Sequence, residues 1–98
     1  MEPHVLTEVV ARMSEDRDSE VTTAFDALLT GPFPDGLLRT DLIRGPEDQW
    51  RIQTMWRDKA ALDAMRSSGE TPAAMRFFID LGVVPALNIY AVPRSHQC

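Results

Sequence analysis

Within residues 50–65, WRIQTMWRDKAALDAM, the hydrophobic period switches from two to about 3.6. Trp50, Ile52, Thr54 and Trp56 alternate with Arg51, Gln53 and Met55, the pattern of a strand with one buried face. Asp58 is suited to cap a helix over residues 59–66, with Ala61, Leu62 and Met65 turned inward. A strand that runs through a short polar corner into an amphipathic helix fixes a sheet–helix contact at the corner. The indole of Trp56 stands at that corner, as a packing plug or as the wall of a small-molecule pocket.

The rest of the chain supplies partners for this unit. Residues 4–13 are rich in branched side chains and predict a first strand. Ser19 is a candidate N-cap for a helix that places Val21, Phe25, Leu28 and Leu29 on one face and stops at Gly31-Pro32. Residues 37–44 predict the second strand, and Gly45-Pro46-Glu47-Asp48 joins it to the third as a hairpin. After Ser67-Ser68-Gly69, Thr71 as N-cap and Pro72 at the first position restart a helix with Met75, Phe78 and Ile79 as its apolar stripe. Phe77 and Phe78 are adjacent, so one of them is expected to face a pocket rim, a partner subunit or solvent. Gly82 ends the helix in the left-handed conformation, and residues 83–92 predict the fourth strand. The polar tail, residues 93–98, is expected to be loose.

Strand, helix, strand, strand, helix, strand is the ferredoxin-like order: an α+β fold with a four-stranded antiparallel sheet and helices on one face. The whole chain, residues 1–98, reads as one domain. A chain of 98 residues buries a limited share of its surface, and the second sheet face needs a cover. A second copy of the chain is the expected cover, giving a homodimer.

Charge and composition narrow the function classes. The formal charge of −5, with arginines scattered among acids, argues against nucleic acid. No apolar run approaches membrane-spanning length, and the first residues lack a signal-peptide pattern. The single cysteine, Cys98, excludes an intrachain disulfide and fits a reducing cytoplasm. His4 and His96 lack a partner cluster with metal-ligand spacing, so no metal is expected.

Three segments carry a resemblance. VVARM at 9–13, GLLRTDLIR at 36–44 and above all MWRDKAALDAM at 55–65 resemble the antibiotic biosynthesis monooxygenase domain family of the dimeric α/β-barrel superfamily. The resemblance spans nearly the whole chain. It implies a homodimer whose sheets pack into a barrel, with a cavity in each subunit between helices and sheet. It also implies a cytoplasmic monooxygenase-like oxidoreductase acting on an aromatic or quinone-type metabolite with no cofactor of its own. A non-catalytic dimeric module that binds a small hydrophobic ligand, or an accessory biosynthetic protein, is the alternative.

Carried over by position, the haem-degrading branch places its asparagine, tryptophan and histidine at Ala11, Met65 and Met75, so the axial ligand is missing and haem degradation is the least favoured reading. The polyketide-oxidising branch matches at Trp56, while its asparagine and tyrosine positions hold Ile52 and Leu62. Trp56 is thus the candidate catalytic residue. Arg39, Thr54, Met65, Met75, Phe78, Asn88 and Tyr90 are the candidate binding residues, with Asp41 a further polar candidate. Arg39 and Asp41 share a strand face and could equally form an exposed or dimer-facing ion pair.

Overall fold

The computed structural model describes residues 3–69 and 71–96. Strand β1 (His4–Arg12) leads through a 3-10 turn (Glu15–Arg17) into helix α1 (Asp18–Leu28). The hairpin β2 (Leu37–Arg44) and β3 (Gln49–Trp56) follows, then α2 (Lys59–Arg66), α3 (Ala73–Asp80) and β4 (Ala86–Val92). The strands form one antiparallel sheet in the order β2-β3-β1-β4, with β1 paired to both β3 and β4. This is the α+β, ferredoxin-like βαββαβ arrangement, its second crossover split into two short helices. Residues 93–96 carry no helix or strand, and the Cys98 thiol lies outside the described residues.

Local chemistry sets the boundaries. Asp58 caps α2, its carboxylate accepting from the Ala61 N–H at 2.9 Å, a contact worth about 1 kcal/mol. Gly82 takes φ +85°, its N–H donates to Ile79 O at 2.9 Å and the Val83 N–H to Phe78 O at 3.1 Å. These two bonds satisfy carbonyls at the end of α3. Helix α1 starts earlier than Ser19, with Arg17 at its N-cap and no side-chain cap. Helix α3 begins one residue later than its proline implies, because Pro72 itself is the N-cap. The hairpin closes on Glu47 and Asp48, both with positive φ, and the Gln49 N–H donates to Pro46 O at 3.2 Å, the geometry of the primed turns that match strand twist.

Alternation sends Val5, Thr7, Val9 and Ala11 from β1 and Trp50, Ile52, Thr54 and Trp56 from β3 beneath the helices, all buried. The larger core joins Val9, Ile52 and Trp50 to Val21 and Phe25 of α1 and to Phe77 and Phe78 of α3. Both phenylalanines are buried, contrary to the expectation that one must turn away. Phe77 meets Phe25 edge-on at 6.0 Å and Phe78 at 5.1 Å, a favoured geometry for aromatic pairs. Ile79 and Leu29, expected inside, are exposed. A smaller cluster joins Val5 and Trp56 to Ala61 and Leu62 of α2.

Candidate functional site

The small cluster borders a cavity between the sheet and the helices. In β2 one extra residue, Leu38, is bulged out, so that Leu37 faces Trp56 while Arg39 faces Met55. Alternation from the hairpin puts Thr40 on the helix side and Arg39 on the other, and the bulge returns Leu37 to the helix side. Gly36, just before the bulge, has φ +85°, and a Cβ there would lie 2.4 Å from the Ala61 Cβ. The Arg57 N–H donates to Gly36 O at 2.7 Å, so the chain passes hard against the start of α2.

Trp56 is held from two sides. Its ring is only 3% exposed, and its Nε1 donates to the Thr7 hydroxyl at 3.1 Å. Thr7 Oγ1 in turn lies 3.5 Å from the Thr54 carbonyl, a long contact. The Thr54 and Thr40 hydroxyls meet across the hairpin at 3.0 Å. Above them lies a cavity of ≈ 100 Å³. The sheet contributes Leu37, Thr40, Thr54 and Trp56 to it, α1 contributes Leu28 and α2 contributes Met65. Pro32, Phe33 and Pro34 of the α1–β2 loop and Pro72, Ala73 and Ala74 at the start of α3 complete it. The exposed members, Pro32, Phe33, Pro34 and Ala73, form its rim. Among the described residues no acidic, basic or histidine side chain lines it, and the two threonine hydroxyls are its unspent side-chain hydrogen-bonding groups.

Of the residues proposed from the sequence, Trp56, Thr54 and Met65 come together here. Phe78, fully buried, and Met75 pack in the larger core instead. Arg39, Asn88 and Tyr90 lie on the opposite sheet face, together with Asp41. Arg39 Nε and Asp41 Oδ2 form an exposed ion pair at 3.0 Å, of a kind that contributes little. Thr40 is the member that sequence reasoning passed over. Pairing β2 to β3 from the hairpin turn would have set it against Thr54, because it alternates with Arg39 and Asp41. The loop at Pro32 to Pro34 and Pro72 carried no comparable signal.

The opposite face has its own polar centre. Glu8, 7% exposed, pairs with Arg51 at 2.9 Å and accepts from Gln53 at 3.0 Å and, at 3.5 Å, from Asn88. Burial pushes its pKa up, but the Gln53 hydrogen bond and the Arg51 guanidinium outweigh burial and hold the carboxyl below its ordinary value. Leu6, Val10, Ile43 and Met55 surround this network, half-buried, and Tyr90 is 48% exposed. Among the described residues no helix is long and apolar enough to cross a membrane, and no cluster of three His, Cys, Asp or Glu side chains has metal-binding geometry.

No protein-family model and no curated protein matches the sequence. Solved structures do match in shape. A candidate antibiotic biosynthesis monooxygenase from Deinococcus radiodurans superposes with a TM-score of 0.67 at 13% identity, covering 96% of this chain and 97% of that one. A Mycobacterium tuberculosis protein gives 0.66 at 19% identity, covering 96% and 99%. A variant of SnoaB, a cofactor-independent oxygenase from Streptomyces nogalater, gives 0.62 at 12% identity, covering 95% and 96%. Identities this low establish the fold and not the chemistry, so this chain has the fold of the antibiotic biosynthesis monooxygenase-like proteins.

Proposed function

We propose that this chain is a small-ligand protein that receives a small aromatic or otherwise apolar metabolite in the cavity beside Trp56. The observation that carries this reading is an apolar chamber between sheet and helices whose polar contribution converges on one point, the Thr40–Thr54 hydroxyl pair. A concave apolar site with a few convergent polar groups is the usual form of a ligand site. Met65 offers a deformable wall, and Trp56, fixed by Thr7, offers a flat rigid one.

A second reading is cofactor-free oxygenation of an aromatic or quinone-type substrate with Trp56 at the site. The hydroxyl pair favours it, as a place for a substrate oxygen, and SnoaB is a cofactor-independent oxygenase on the same fold. In that reaction one oxygen atom of O2 enters the ring and the other leaves as water, the substrate supplying four electrons. The substrate must first lose a proton, and among the described residues no titratable side chain lines the cavity to take it. Ligand binding is therefore the leading reading.

The working unit in either case is a cytoplasmic homodimer of single-domain subunits, joined through the apolar ring around Glu8. The test uses proton–nitrogen NMR of the indole groups with phenol and anthrone as probes, and oxygen uptake on the same samples. Binding predicts a shift of the Trp56 indole N–H and little change at Trp50, without uptake. Uptake above the protein-free rate, reduced in Trp56→Phe, would move the conclusion to oxygenation. An unchanged Trp56 signal with every probe would refute both.

A further inference from the structure

Resting on the ligand-binding reading above, we infer that the Trp56 cavity selects an uncharged, single-ring ligand bearing one oxygen, which docks on the Thr40–Thr54 hydroxyl pair. The inference stands on three properties of the site: its charge, its proton count and its volume.

The charge comes first. Among the described residues no Arg, Lys, His, Asp or Glu lines the cavity, and Arg57 opens instead onto a depression beside α2. A carboxylate or ammonium entering this chamber would give up its hydration with no counter-charge to replace it. That desolvation is far more costly than for a neutral hydroxyl. Ionised phenols are excluded on the same ground.

The proton count comes next. Thr40 Oγ1 and Thr54 Oγ1 stand 3.0 Å apart, so one hydroxyl donates to the other. The pair owns two protons and spends one between its members. One proton is left to donate outward, and lone pairs are left to accept. Such a pair completes a single hydroxyl or carbonyl oxygen. The indole N–H of Trp56 adds nothing, because Thr7 already accepts it.

The volume sets the size. The cavity of ≈ 100 Å³ falls below the range of about 300–1,000 Å³ typical of drug-sized ligands. It lies nearer the roughly 150 Å³ apolar cavity known to take benzene. One ring, with its outer edge at the exposed rim, is the largest rigid body this space suits. A fused three-ring phenol is not.

The experiment is a titration of the full chain followed at the Trp56 indole N–H, with phenol, toluene, benzoate and anthrone as probes at neutral pH. Phenol is expected to bind about 2- to 12-fold more tightly than toluene, the range of one net hydrogen bond. Benzoate and anthrone are expected to leave the signal in place. The double variant Thr40→Val/Thr54→Val, close to the threonines in shape, is expected to bring phenol down to the affinity of toluene while toluene binding persists. Thr40→Ala/Thr54→Ala repeats the measurement should the first variant lose its dispersed spectrum. Toluene binding as tightly as phenol, or phenol binding unchanged in a folded variant, overturns the docking assignment. Benzoate or anthrone binding better than phenol overturns the charge or the size limit. All of these leave the ligand-site reading standing. A Trp56 signal that no probe moves overturns the inference and that reading together.

Discussion

Replacing Thr7 by valine tests how Trp56 is held in place. The indole Nε1 has one acceptor, the Thr7 hydroxyl at 3.1 Å, and both side chains are buried, at 3% and 8% exposure. Valine keeps the shape of threonine and removes the acceptor. An orphaned buried donor costs about 1–3 kcal/mol. The added methyl recovers roughly 0.8 kcal/mol of apolar burial. The net loss is then roughly 0.2–2.2 kcal/mol, a Tm drop of about 1–18 °C for a domain of this size. Part of that loss must vanish when the indole is absent. A double-mutant cycle with Trp56→Phe, followed by urea denaturation, should give a coupling of about 1 kcal/mol between positions 7 and 56. A coupling below about 0.3 kcal/mol would show that the hydrogen bond does not hold the ring, and the account of the cavity wall would fail. Trp50 supplies a built-in comparison, since its Nε1 is buried with no hydrogen-bond partner among the described residues. Its indole resonance should be unmoved by Thr7→Val, whereas that of Trp56 should shift.

Gly36→Ala must be severe, because the new Cβ meets Ala61 at 2.4 Å in a left-handed backbone. A loss of roughly 2–5 kcal/mol combines overpacking with the positive-φ cost, and a wild-type Tm would refute the packing described. Glu47→Gly should stabilise by about 0.5–1 kcal/mol, because Glu47 sits at φ 59°; thermal melting checks the sign. Asp58→Ala should remove about 1 kcal/mol by uncapping α2, and Asp58→Asn should recover most of it in the same denaturation assay. Glu8 has a folded-state pKa below its ordinary value of 4.5. Its stabilisation is therefore complete above that pH and fades as pH falls through the folded pKa, where the unfolded chain already binds the proton. Denaturation midpoints measured from pH 6 to pH 3 should fall less steeply for Glu8→Gln than for wild type, and parallel curves would sink the assignment.

The period change at Trp56 determined more of this fold than any other feature. Alternation over β3 and helical spacing over α2 place Trp50, Ile52, Thr54 and Trp56 beneath the helices, because local sterics set both periods before any tertiary contact exists. Turn chemistry did the same for Asp58 and Gly82, whose roles depend only on neighbouring backbone groups. Which of two adjacent phenylalanines is buried was not a local matter. Phe77 finds an edge-on place against Phe25, more than fifty positions away, and both rings go inside. The cavity was likewise decided by tertiary structure. Sequence reasoning grouped polar residues by chemistry and named Arg39, Asn88 and Tyr90, yet the register of β2 and β4 puts them on the far side of the sheet. The hairpin register sets Thr40 against Thr54 and turns Arg39 to the other face, and the bulged Leu38 brings Leu37 back to the Trp56 side. The side-chain period of a strand is two, so one extra residue exchanges the faces of all that follow it, and composition carries no trace of that exchange.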